Sequence, residues 1–214
     1  MNLRSRVLEQ LGTVYDPELD EPITTLGFVG SLVVTEAGDV SVRLRLPTPQ
    51  CAPNFAFLMA ADARAAVDRV AGLGHVEIEL EDHYTGAEIN TAIARGDGFS
   101  GAFPGETRGE LDALRALFQR KALLARQSRL LEVPAARLGD LHGPDADRVR
   151  ELRRALGIDA SDDAAPYVTG DGVPVAADDQ RFRRMASLTA LSLETNGGMC
   201  RDLLRVRYGE EVAA

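Results

Sequence analysis

Along the first ninety residues the apolar positions switch between two periods. Leu3, Val7, Leu8 and Leu11 recur at helical spacing and Gly12 stands where a helix stops, so the spacing predicts a first short helix. Val40, Val42, Leu44 and Leu46 then alternate with Ser41, Arg43 and Arg45, the pattern of a strand with one covered face. With the apolar run from Gly30 to Val34 and the turn Glu36-Ala37-Gly38-Asp39, this predicts a hairpin. After Asn54, the expected N-cap, Phe55, Leu58, Met59, Ala63, Ala66, Val67 and Val70 return to helical spacing until Gly72 and Gly74. Val76, Ile78 and Leu80 alternate against His75, Glu77, Glu79 and Glu81, a third strand. The order αββαβ predicts an α+β fold, a small two-layer domain with helices on at least one sheet face.

Beyond the third strand the pattern becomes helical. Thr85 and Glu88 have the spacing of a capping box, which predicts a helix from about Gly86 to Arg95, stopped at Gly96. Residues 96–106 are glycine-rich and read as a linker. Thr107 and Glu110 form a second box opening a long helix to about Glu132, which Pro134 ends, and Pro144 suits the first turn of the next helix. Residues 167–175, with Thr169-Gly170-Asp171-Gly172, read as a small hairpin or a surface loop. Asp178 and Asp179 open a further helix, with a stop expected at Asn196-Gly197-Gly198, and a last run from Met199 to Tyr208 carries Cys200, expected as a buried helix cysteine. The expected organisation is an α+β domain over 1–95, a linker over 96–106 and a mainly α-helical extension over 107–214.

Composition narrows the function classes. With 45% hydrophobic residues a core can form, and 24 basic against 33 acidic residues leave a formal net charge of −9. Without a Lys/Arg cluster to interrupt the acidity, nucleic acid and membrane surfaces are poor partners. The first residues carry charges throughout with no apolar signal core, and two cysteines are too few for a disulfide framework. The expectation is a cytoplasmic protein in a reducing compartment.

Chemistry concentrates at residues 46–54, Leu-Pro-Thr-Pro-Gln-Cys-Ala-Pro-Asn, where the second strand passes into a helix. Helix N-termini favour thiolates, which bind metals and attack electrophiles. Thr48 brings a hydroxyl near Cys51 in sequence, while the plain alternative is a cysteine packed as a small hydrophobe. Residues 14–22 form an acidic loop in which Asp16 and Glu18 are either oxygen ligands or solvated turn residues. His83, just past the third strand, meets Cys51 if the two junctions share a sheet edge, a pair suited to metal binding or proton transfer. A surface or capping histidine is the alternative.

In this order the pieces resemble a known family. Asp16-Pro17-Glu18 after the first helix, Leu26-Gly27-Phe28 before the hairpin and Thr48-Pro49-Gln50-Cys51 after its second strand make residues 14–80 similar to the MIP18 (DUF59) family of iron-sulfur cluster assembly proteins, with SufT-like and PaaD-like members. The resemblance implies a compact α+β fold and an accessory role in assembling an iron-sulfur cluster, or a related iron centre, or delivering it to a cytoplasmic client. Cys51 matches the family's cluster-handling cysteine, with Thr48 beside it, and Asp16 and Glu18 match its acidic loop; His83 is the additional candidate ligand. The implied cargo is iron or an iron-sulfur cluster, transiently bound, because one cysteine cannot fill a cluster's shell of about four thiolates. The implied partners are a client metalloprotein, other cluster-assembly proteins and, as a further candidate, a second copy of the chain.

Two features depart from the family pattern. Ala52 separates Cys51 from Pro53 where the family places proline directly after the cysteine, and no tryptophan follows the third strand. The resemblance ends near residue 95. Two rival classes stay open at this point: a thiol enzyme with Cys51 as nucleophile and His83 as base, and a protein-binding module in which the helical half holds a complex together.

Overall fold

The computed structural model describes residues 2–106 and 111–209. The chain forms two compact units, residues 1–111 with 197–214, and residues 112–196. The fold is α+β, as the alternation predicts.

In the first unit, α1 (Leu3–Leu11) is capped by Asn2, whose side chain accepts from the Ser5 N–H at 2.8 Å. Strands β1 (Val29–Val34) and β2 (Val40–Arg45) form an antiparallel hairpin. Helix α2 (Pro53–Asp68) carries the chain over to β3 (Val76–Glu81), which pairs with β2 in parallel, giving the order β1-β2-β3. Val40, Val42 and Leu44 of β2 and Val76, Ile78 and Leu80 of β3 turn into the core with Ala56, Met59, Ala63 and Val67 of α2. The opposite face carries a ladder of ion pairs, Arg43 with Glu79 and Glu81 at 3.3 Å each and Arg45 with Glu81 at 2.6 Å. Helix α3 (Gly86–Arg95) packs on β3 and ends at Gly96 in the left-handed region.

Local signals and structure part company at several places. Pro53 opens α2 and Ala52 occupies the cap without a side-chain bond, so the helix begins two residues earlier than an Asn54 cap would place it. The Thr85/Glu88 capping box is not formed, because the Thr85 hydroxyl is directed at the His83 ring instead. The glycine-rich stretch holds a one-turn helix, α4 (Phe99–Ala102), whose Phe99 stacks edge-on against Phe57 with ring centres 5.5 Å apart; this segment belongs to the first unit. The Thr107/Glu110 box lies outside the described residues.

The second unit contains α5 (Asp112–Ser128), α6 (Pro144–Ala155) and the first part of α7 (Gln180–Tyr208). Leu123, Leu138, Leu141, Val149, Leu152, Tyr167 and Phe182 form its core. Arg153 is fully buried there with no carboxylate partner among the described contacts; its guanidinium donates to the carbonyls of Ala165 at 2.9 Å, Pro166 at 2.8 Å and Asp159 at 3.3 Å, and to Gln127 Oε1 at 3.4 Å. Burial lowers the Arg153 pKa. Residues 167–175 close through a single antiparallel bridge, Val168 with Pro174.

Helix α7 runs unbroken through the Asn196-Gly197-Gly198 sequence that reads as a stop. Gly197 packs closely: a Cβ there would come within 2.8 Å of Glu21 Oε1, so the Glu21 carboxylate would have to shift to admit one.

Candidate functional site

The junction after β2 is a tight turn. The Cys51 N–H donates to the Thr48 carbonyl at 3.4 Å, and Thr48 Oγ1 and Cys51 Sγ lie within hydrogen-bonding distance at 3.5 Å. Cys51 is half-buried, and α2 starts two residues later, with the Phe55 and Ala56 N–H groups already donating to the Ala52 carbonyl. The turn therefore presents a partly accessible sulfur beside a helix N-terminus, with one hydroxyl aimed at it.

His83 reaches the same turn, but at its backbone. The Thr85 N–H donates to Nδ1 at 3.3 Å, which leaves the ring proton on Nε2, and Nε2 donates to the Cys51 carbonyl at 2.7 Å. Both ring nitrogens are thereby engaged. Burial lowers the His83 pKa, opposed by the bond to the Cys51 carbonyl. A second tie comes from the Tyr84 N–H, which donates to the Pro49 carbonyl at 3.1 Å.

The acidic loop is folded around Asp16. Its Oδ1 accepts from the N–H groups of Glu18 and Leu19, each at 2.8 Å, while its own N–H donates to the Glu21 carbonyl at 2.9 Å. Asp16 is only 7% exposed, and burial raises its pKa to about 6 against the lowering effect of those two bonds. Glu18 points to solvent. Glu21 accepts from Arg201 Nη1 at 2.6 Å.

That ion pair brings in a segment that no motif marks. Residues 197–208, the part of α7 in the first unit, lie along the acidic loop and the ends of β2 and β3. Arg207 donates to the carbonyls of Leu46 at 3.1 Å and Asp82 at 2.7 Å, and Tyr208 donates to Asp82 Oδ2 at 3.2 Å. Leu204 is buried in the same core as Leu46, and Cys51 and Cys200 both pack against that core. Burial pushes the Cys200 thiol up to about 11, with Asp16, Cys51 and Glu18 as negative neighbours adding to the shift. The only trace in sequence is the helical spacing of Gly197, Cys200, Arg201, Leu204 and Tyr208 on one face.

Beside the turn lies an open groove of about 430 Å³, lined mainly by Ala52, Pro53, Tyr84, Thr85, Phe99 and Phe103. Among the described residues, no group of three or more His, Cys, Asp or Glu side chains is arranged to hold a metal ion. Among the same residues no helix is long and apolar enough to cross a membrane.

The family profile described as "Iron-sulfur cluster assembly protein" matches residues 4–80, a span that includes Asp16, Glu18, Thr48 and Cys51. An uncharacterized protein of Methanocaldococcus jannaschii is 32% identical over 93 residues, 44% of this chain and 96% of the relative. A Porphyromonas gingivalis protein named Fe-S protein maturation auxiliary factor is 35% identical over 74 residues, 35% of this chain and 69% of the relative. A Mycobacterium leprae iron-sulfur cluster carrier protein is 35% identical over 80 residues, 37% of this chain but only 20% of that longer protein. No solved structure matches. The chain belongs to the MIP18 (DUF59) family of iron-sulfur cluster assembly proteins, and its role is that of an accessory factor in cluster assembly.

Proposed function

We propose that this factor carries iron or an iron-sulfur cluster on Cys51 and passes it to a client metalloprotein in the cytoplasm. The observation that carries the reading is the turn itself: a half-buried thiol, a hydroxyl 3.5 Å from the sulfur and a helix N-terminus following at once. Thiolates are the soft donors that iron-sulfur centres take. The site's donors fit incomplete ligation, which leaves positions on the cargo for a client's own cysteines. The relative from M. leprae bears the name of a cluster carrier, in keeping with this role.

The other candidate residues divide by what already occupies them. Glu18 is the exposed carboxylate of the acidic loop and the one free to reach a cargo as a hard ligand, whereas Asp16 shapes the loop through Glu18 and Leu19. Thr48 donates to the sulfur once it is a thiolate. His83 holds the Cys51 carbonyl, and a ring engaged at both nitrogens favours a positioning role over that of a ligand or of a general base in a thiol enzyme. The groove beside Pro53 and Phe103 offers an apolar rest for a client segment.

The test is anaerobic loading of the full chain with iron and sulfide, followed by metal and sulfide analysis and visible absorbance. The proposal expects loading in the unaltered protein and its loss in Cys51→Ala. Equal loading of the two removes Cys51 from the site.

A further inference from the structure

We infer that Cys200 is the second thiol of the Cys51 site, so that the chain offers a two-thiol seat for a thiophilic metal centre. This rests on the reading of Cys51 above and adds to it a residue outside the stretch that matches the family.

Three observations place Cys200 there. Residues 197–208 are held at two points, by Arg201 on Glu21 of the acidic loop at 2.6 Å and by Arg207 on the Leu46 carbonyl, at the start of the 46–54 stretch, at 3.1 Å. The approach is close, since at residue 197 not even a methyl group fits beside Glu21 without displacing its carboxylate. Cys200 shares the helix face of Gly197, Leu204 and Tyr208, all turned toward this unit, and its thiol packs against the core that Cys51 also touches.

Its electrostatic neighbours agree with that placement. The groups that oppose ionisation of Cys200 are Asp16, Cys51 and Glu18, the residues of the turn and the acidic loop. On binding, each thiol loses its proton to water as its sulfur bonds to the metal, with no change of oxidation state. Two thiolates remain short of the usual shell of about four, so a client can still complete it.

The experiment uses the full-length reduced protein under anaerobic conditions, titrated with cobalt(II) and read by its thiolate-to-cobalt charge-transfer absorption. The unaltered protein and the variants Cys51→Ser, Cys200→Ser and the double variant are compared. The expected result is a band that falls to about half its intensity in each single variant and disappears in the double one, with binding weakened about tenfold or more by Cys200→Ser. If Cys200→Ser titrates like the unaltered protein while Cys51→Ser loses the band, Cys200 is a packing residue and this inference fails while the Cys51 reading stands. If Cys51→Ser leaves the band unchanged, both fail. A second measurement needs no variant: a short bifunctional thiol reagent is expected to bridge the two cysteines within one chain, and a digest containing only singly modified Cys51 and Cys200 peptides overturns the pairing.

Discussion

Arg201 and Glu21, 180 positions apart in sequence, meet at 2.6 Å and fasten the end of α7 to the acidic loop. Gly197 and Gly198 test this contact against each other. At Gly198 a Cβ meets open space, so Gly198→Ala is expected to stabilise the helix by about 0.5–1 kcal/mol. Gly197→Ala gains the same helix propensity but pushes on Glu21, so it is expected to be neutral or destabilising and to speed alkylation of Cys200. Thermal unfolding of the two variants checks the contrast, and equal stabilisation contradicts it.

Asp16 sets a pH dependence. Its folded pKa, about 6, lies above the 3.8 of a free carboxyl, so the folded state holds the proton more tightly. Its favourable contribution is complete below about pH 4 and is lost as the pH rises to about 6. Asp16→Asn keeps an oxygen to accept from Glu18 and Leu19 and removes the buried charge. The variant is expected to exceed the unaltered protein in stability by about 1–3 kcal/mol at pH 8, with the difference closing near pH 4. Urea unfolding at the two pH values checks this.

His83 works in the opposite direction. Its pKa is lowered by burial, so protonation favours the unfolded chain, and the stability it contributes is present above the ordinary histidine pKa and lost as pH falls below it. His83→Gln is expected to flatten that part of the stability profile and, by releasing the Cys51 carbonyl, to raise the mobility of the 48–51 turn. Hydrogen exchange of the Cys51 amide reads the second effect.

Arg153 holds the second unit through backbone carbonyls. Arg153→Leu leaves those acceptors buried and unpaired, with an expected loss of about 2–4 kcal/mol. Arg153→Lys keeps the charge but not the planar fork, so it is expected to recover only part of the loss in the same unfolding assay.

What the sequence disclosed and what it hid follow from the range of the interactions. Val40, Val42 and Leu44 revealed β2 because burial of one sheet face enforces a period of two, and Thr48 and Cys51 revealed the turn because only three positions separate them. Gly197 misleads because its glycine answers to a packing contact with Glu21, and local propensity carries no information about that contact. Thr85 and Glu88 fit a capping box, yet the Thr85 hydroxyl found a tertiary partner in His83. The approach of Cys200 to the site depends on Arg201, Leu204 and Arg207 all finding partners far away in the chain, and no short motif encodes that.

The most direct test of a carrier role for Cys51 is transfer of cargo. The full chain, loaded anaerobically with iron and sulfide, is mixed with an apo iron-sulfur protein in the presence of an iron chelator, and the appearance of the acceptor's cluster absorbance is timed. The unaltered protein is expected to deliver cluster faster than free iron and sulfide do, and Cys51→Ala to give no acceleration. Delivery by Cys51→Ala at the unaltered rate contradicts that role.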